Sequence, residues 1–267
     1  MRSSSFALLF VFVFAAVSAT AQQSSTSTPQ VPERDPQALA VLSKMLSISG
    51  WSVPIDAAAA GSVTRYRGDT QDAVNITLKF KGRTEARVDV ADPTTPRSTV
   101  INGELAASTT SGVTLLVPGR STLSPTVLLP IFSALLNISD PNLSFRFVGA
   151  ETVNGQVASR LEIDYISPPD DPRPQAQRRD GHLTLWVSVS SLLPIQIQYP
   201  RISKDNPTSV FTATRVYSDY RTISGVAVPF HQDEYGGNQH LSSLQLNTVA
   251  FNTGLSDTEF AIAVPGQ

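Results

Sequence analysis

Alternation with period two is the strongest constraint on what this chain can fold into. In VNITLKFK (Val74 to Lys81), Val74, Ile76, Leu78 and Phe80 fall on one side of an extended backbone, and Asn75, Thr77, Lys79 and Lys81 fall on the other. Successive side chains of a strand point to opposite faces, so this run is a strand with one dry and one wet face. After a turn at Lys81-Gly82, TEARVDV sets Ala86, Val88 and Val90 inward and Glu85, Arg87 and Asp89 outward, which makes the two runs a hairpin. Similar readings hold for Val113 to Val117, Ser144 to Val148, Val157 to Tyr165, His182 to Val189, Pro194 to Tyr199 and Val210 to Tyr217. Asn102-Gly103, Asn154-Gly155 and Gly236-Gly237 supply turns between them.

Strands that follow one another through short turns argue for an antiparallel meander rather than βαβ units. A single large sheet must curl, close or split, and its inner face then needs a cover. Two segments fit that task. DPQALAVLSKMLSISGW carries Asp35 as N-cap, Pro36 at the first helical position, a stripe of Leu39, Leu42, Met45 and Leu46, and Gly50 as a stop. SPTVLLPIFSALLN (Ser124 to Asn137) starts with the same Ser-Pro signature and is apolar nearly all round, with a kink expected at Pro130. The fold class expected is therefore mainly β with a few helices: a strongly curved antiparallel sheet whose concave face is covered by two helices.

The N-terminus adds a basic Arg2, an apolar run from Phe6 to Val17 and the small residues Ala19 and Ala21, the pattern of a secretory signal peptide over residues 1–21. Residues 22–34 are polar and aperiodic and read as a disordered linker. Residues 35–267 read as one domain, with SPPDDPRPQAQRRD giving a mobile proline-rich loop over 168–180. With no cysteine, the chain has neither a disulfide framework nor a residue for lipid anchoring. A net charge of -2 gives no electrostatic case for nucleic acid or anionic membranes. No transmembrane anchor is expected after signal cleavage, and the location expected is periplasmic or secreted.

Catalytic patterns are sparse. There is no G-x-S-x-G elbow, no G-x-G-x-x-G or G-K-[ST] phosphate cradle, and none of the three histidines stands in H-E-x-x-H spacing. His231 with Asp233 and Glu234 is the best local metal candidate, yet on a strand His231, Asp233 and Tyr235 share a face that Glu234 does not. The adjacent acids Asp170 and Asp171 lie in the proline loop, and a glycosidase needs two carboxylates facing each other across a cleft. No catalytic residue, metal or cofactor is assigned, and the chain is expected not to be an enzyme.

YSDYRTISGVAVPFHQDEYGG (Tyr217 to Gly237) gathers the most functional groups into one run. Its alternation resolves it into two strands around Ser224-Gly225, with Val226, Val228 and Phe230 on one face and Ala227, Pro229 and His231 on the other. Together with LWVSVSSLLPIQIQY, VAFNTGLSDTEFAIAVP and the upstream FVGAETVNGQVASRLEI, this stretch resembles the second half of the LolA-like, lipoprotein-sorting carrier proteins of bacterial envelopes. The resemblance spans Phe147 to Pro265, and the first half matches in layout.

That resemblance implies an unclosed antiparallel half-barrel whose concave face is capped by helices and holds acyl chains of a lipid or lipoprotein. On this reading the ligand lining is Leu42, Met45, Leu46, Leu128, Phe132 and Leu135 from the helices, with Phe80, Phe145 and Phe147 from the sheet. Lipid transport in the periplasm, with envelope proteins as further partners, is the function expected. The alternative is an envelope interaction or sensor module with a packed interior and a partner protein on a strand edge or on the proline loop.

Overall fold

A computed structural model describes residues 32–51, 54–82, 84–103, 105–116, 138–166, 181–202 and 209–262. The signal segment, the apolar stretch from Ser124 to Asn137 and the 168–180 loop lie outside them. Among the described residues there is one α-helix, α1 (Pro36–Ser49), and thirteen strands: β1 (Asp56–Arg67), β2 (Thr70–Lys81), β3 (Glu85–Ala91), β4 (Arg97–Asn102), β5 (Leu105–Thr110), β6 (Val113–Leu116), β7 (Leu143–Val153), β8 (Gln156–Tyr165), β9 (His182–Ser188), β10 (Pro194–Ile202), β11 (Val210–Ile223), β12 (Val226–Gly236) and β13 (Gln239–Phe251). A 3-10 turn, Asp257–Phe260, follows.

Every pairing is antiparallel, in the order β6-β5-β4-β3-β2-β1-β13-β12-β11-β10-β9-β8-β7. Two meanders are thus joined where β1, at the start of the domain, pairs with β13, at its end. The order does not close on itself. It curls instead: Ala106 of β5 and Phe145 of β7 belong to one buried cluster, although eleven strand spacings would set them roughly 50 Å apart in a flat sheet.

The alternation read from the sequence fixes the faces. Val74, Ile76, Leu78 and Phe80 are buried, and Lys79 and Lys81 on the opposite face pair with Glu259 and Asp257, docking the C-terminal turn outside the sheet. Three strands were less legible. Within β1, Asp56-Ala-Ala-Ala-Ala-Gly61 has no apolar/polar contrast, and the short RSTVIN and LAASTT of β4 and β5 offer weak alternation. They are held by their neighbours on both sides rather than by their own pattern.

Helix α1 begins as its sequence predicts. Asp35 accepts from the Gln37 N–H at 2.8 Å, Pro36 opens the helix, and Gly50 ends it with φ +71. Asp35 also accepts from the Phe147 N–H at 2.8 Å, so the cap ties the helix to β7. Leu42 and Met45 are fully buried on the concave face, and Leu39 and Leu46 pack against them. Beyond the helix, Trp51 is buried and donates its indole N–H to the Ala227 carbonyl at 2.7 Å, pinning the far end of α1 to β12. Of the two helices expected, α1 forms and buries Leu42 and Met45 in the cluster it shares with the sheet; the second falls outside the described residues.

The domain starts earlier than its sequence indicates. Glu33 and Arg34, read above as the end of a linker, are held against β7: the Phe145 N–H donates to the Glu33 carbonyl at 2.8 Å, and Arg34 donates to the Asp140 carbonyl at 3.0 Å with its guanidinium over the Phe145 ring.

At the other end of β1, the buried Asp56 carboxylate accepts from Thr253 N–H (2.6 Å), Thr253 hydroxyl (2.9 Å), Gly254 N–H (2.9 Å) and Leu255 N–H (3.2 Å). Burial works to raise its pKa, but these donors outweigh it and hold the group below its ordinary value of 3.8. Because the folded pKa is depressed, the associated stability is present above the unfolded pKa and is lost as the pH falls through the folded one. Asp56→Asn is expected to cost about 2 kcal/mol at pH 7, with the gap from the parent closing as the pH drops below about 4, in urea titrations across that range.

Candidate functional site

Strand register divides the concave face into two ends. Toward α1 it is apolar: Ala57 and Ala59 of β1, Leu78 and Phe80 of β2, Val226, Val228 and Phe230 of β12, and Leu246 of β13. Going the other way along each strand, the same face turns polar. In β12 the row continues to Gln232 and Glu234, in β10 it runs from Ile197 to Tyr199 and Arg201, and in β11 from Tyr217 to Arg215. Ser242 of β13 stands opposite Glu234 and also opposite Arg65 of β1, which in turn faces Asp72 of β2. The result is an amphipathic trough, filled at its apolar end by Leu42 and Met45 of α1 and charged near the β1–β2 and β12–β13 turns.

Glu234 organises the charged end. Its Oε2 accepts from Arg215 Nη2 at 2.8 Å and from the Ser242 hydroxyl at 3.3 Å; its Oε1 accepts from the Tyr199 hydroxyl at 3.0 Å and from Arg201. Arg215 Nη1 donates to Gln232 Oε1 at 3.1 Å. Arg215, Gln232 and Glu234 are 7%, 1% and 6% exposed. Charges this deep persist only when paired and hydrogen-bonded. Burial also pushes the Tyr217 phenol far above its ordinary pKa, against the pull of the Arg215 charge, so it stays neutral. Nearer the β1–β2 turn, Arg65 bridges Asp72 and Asp92, the second at 2.7 Å, and Asp92 is held at about 2 by the Arg65 guanidinium and the Thr94 and Thr95 N–H groups.

The expected lining residues fall in three groups. Leu42, Met45, Phe80 and Phe145 are fully buried in the one core cluster under α1, Leu46 and Phe147 are half-buried against it, and Leu128, Phe132 and Leu135 lie outside the described residues. Of the charged end, the sequence singles out only Glu234, as a metal candidate beside His231 and Asp233. The signal of that end was nevertheless present: the row Val226, Val228, Phe230 extends with the same period to Gln232 and Glu234, which places them inside.

The convex face carries His231 and His240. His231 Nε2 lies 3.0 Å from Asp233 Oδ2, His240 Nε2 lies 3.1 Å from Asp233 Oδ1, and the Ser243 hydroxyl donates to Asp233 as well. The His240 ring is stacked between Tyr66 and Tyr235 at 4.2 and 4.7 Å. His231 and Asp233 therefore do converge, with His240 as third member, while Glu234 points to the opposite face. Also on the convex side, Trp186 donates to Glu151 and packs on Ala158 and Ile195. A groove of about 390 Å³ runs over β2 to β5, lined by Asn75, Thr77, Asp89, Ser98 and Thr109 among others. Register puts these five on the convex side.

No family model matches the chain, and no curated protein matches it. Solved structures do. A LolA superfamily protein from Nitrosomonas europaea superposes with TM-score 0.58 at 14% identity, covering 84% of this chain and 97% of the other. A DUF1329 family protein from Desulfovibrio piger gives 0.57 at 13%, covering 84% and 97%. A domain assigned to outer membrane lipoprotein sorting, from Vibrio parahaemolyticus, gives 0.57 at 13%, covering 84% and 96%. The fold is LolA-like.

Proposed function

We propose that this chain binds the acyl chains of a lipid or lipoprotein within its concave face, without catalysing a reaction, in the periplasm or outside the cell. What carries the reading is the trough itself: an unclosed, curled sheet with a continuous apolar row beneath one helix, on a fold whose solved neighbours include a lipoprotein-sorting domain. Among the described residues no helix is long and apolar enough to cross a membrane. Affinity needs no charged contact. Sheltering about ten methylenes at ~0.8 kcal/mol each gives up to roughly 8 kcal/mol, a micromolar dissociation constant.

Protein refolded from denaturant, and so stripped of lipid, is expected to bind a fluorescent fatty acid saturably, with displacement by palmitate. Absence of saturable binding, together with an organic extract of the envelope-derived protein free of lipid, overturns the reading.

A second reading is favoured by one observation. β6, the last strand at its edge of the described sheet, exposes Val113, Leu115 and Leu116. Unpaired edges with apolar side chains recruit other strands, so an envelope partner protein docking there is the alternative. It leaves the fatty acid unbound and the core packed.

A further inference from the structure

Two buried hydrogen-bond donors at the charged end of the trough have no partner among the described residues: Arg215 Nε and Gln232 Nε2. They belong to two side chains already joined to each other, since Arg215 Nη1 donates to the oxygen of the same Gln232 amide. Nearly all buried polar groups in folded proteins are satisfied, and a donor left alone forfeits its hydration without return. Two such donors in one spot describe a place built for an acceptor.

The neighbouring groups say which kind of ligand fits. Both Glu234 oxygens are engaged, by Tyr199 and Arg201 on one and Arg215 and Ser242 on the other, and the Gln232 oxygen is taken by Arg215. An incoming donor would find the Glu234 oxygens fully used and a single lone pair left on Gln232, whereas an incoming acceptor meets two buried N–H groups with no partner among the described residues. Distance fits too. From Val226, beside α1, to Gln232 is six residues of strand, about 20 Å at 3.3 Å per residue, against about 15 Å for the acyl layer of one bilayer leaflet.

We propose that Arg215 Nε and Gln232 Nε2 receive the carbonyl or carboxylate end of an acyl ligand whose chain runs along β12 toward α1. This rests on the acyl-binding reading above and adds the direction of the ligand and the chemistry of its head. Ligand selection then comes from the head group, because an apolar trough alone cannot tell one alkyl chain from another.

The test displaces a fluorescent acyl probe with palmitate, methyl palmitate or hexadecane, from the parent protein and from Gln232→Leu. Palmitate is expected to compete at least about tenfold better than hexadecane on the parent, the effect of one well-placed hydrogen bond to a charged group. Gln232→Leu is expected to remove most of that preference while leaving hexadecane unchanged. Methyl palmitate matching palmitate identifies a carbonyl reader; palmitate alone gaining identifies a carboxylate reader. Should leucine disturb folding, Gln232→Met removes the same donor on an unbranched side chain, with hexadecane affinity reporting an intact trough. Equal competition by palmitate and hexadecane on the parent overturns the head-group site and leaves acyl binding standing. Failure of the probe itself to bind overturns acyl binding, and this proposal with it.

Discussion

Gly61→Ala is expected to abolish cooperative folding, or to cost more than about 4 kcal/mol, the extreme of what single substitutions do. Gly61 sits in the middle of β1, where the register with β13 slips between Ala60 and Gly61. A Cβ there would lie 2.1 Å from the Gln245 carbonyl oxygen and 2.9 Å from the Leu246 Cα. Both are backbone atoms, so no side-chain rotation relieves the clash, and the strands must part where the two meanders join. Gly82→Ala is the control. Its φ of +57 also disfavours a side chain, but nothing lies within 4 Å of the added carbon, so a loss of only about 1–2 kcal/mol is expected. Urea titrations followed by circular dichroism read both; an alanine at 61 with a midpoint within about 0.5 M of the parent would show that the seam yields.

Glu234→Ala is expected to destabilise by about 3–5 kcal/mol, because it strips the partner from a guanidinium that is itself deeply buried. Arg215 would keep only Gln232, and the Tyr199 and Ser242 hydroxyls would lose their acceptor. The double variant Arg215→Met/Glu234→Met separates the loss of a contact from the stranding of a charge. Replacing a buried ion pair with apolar side chains of similar volume is often neutral, so most of the stability is expected to return. The same double variant removes Arg215 Nε and should bind palmitate no better than hexadecane. A single Glu234→Ala costing under about 1 kcal/mol would mean that water reaches the cluster and supports Arg215 in place of the carboxylate.

Much of this was legible before any coordinates. Alternation in Val74 to Lys81 gave strand, face and hairpin, because burial on one side of a pleat writes itself into every second residue. The cap of α1 was equally plain, since Asp35, Pro36 and Gly50 each act through local backbone chemistry. The strands that escaped notice are those whose stability is borrowed: β4 and β5 have small and hydroxyl side chains, and their place is set by neighbours. The charged end of the trough was hidden for a different reason. Gln232 and Glu234 look like solvated residues when read beside His231 and Asp233, and their burial depends on Arg215 and Arg201, which arrive from other strands. Facing direction was in the sequence; the partners that make burial tolerable were not.

The joining of β1 to β13 carries a consequence for synthesis. While the polypeptide is being made, the first meander must wait for some 180 residues with one whole side of β1 unsatisfied, since its neighbour β13 follows only after β12. During that interval β1 is open to capture by other chains. Chains cut short before Gln239 never leave that state, so truncation at the C-terminus should be punished by aggregation far more than its few missing core residues would suggest. A circular permutant opened elsewhere, with β13 running straight into β1, would remove the delay.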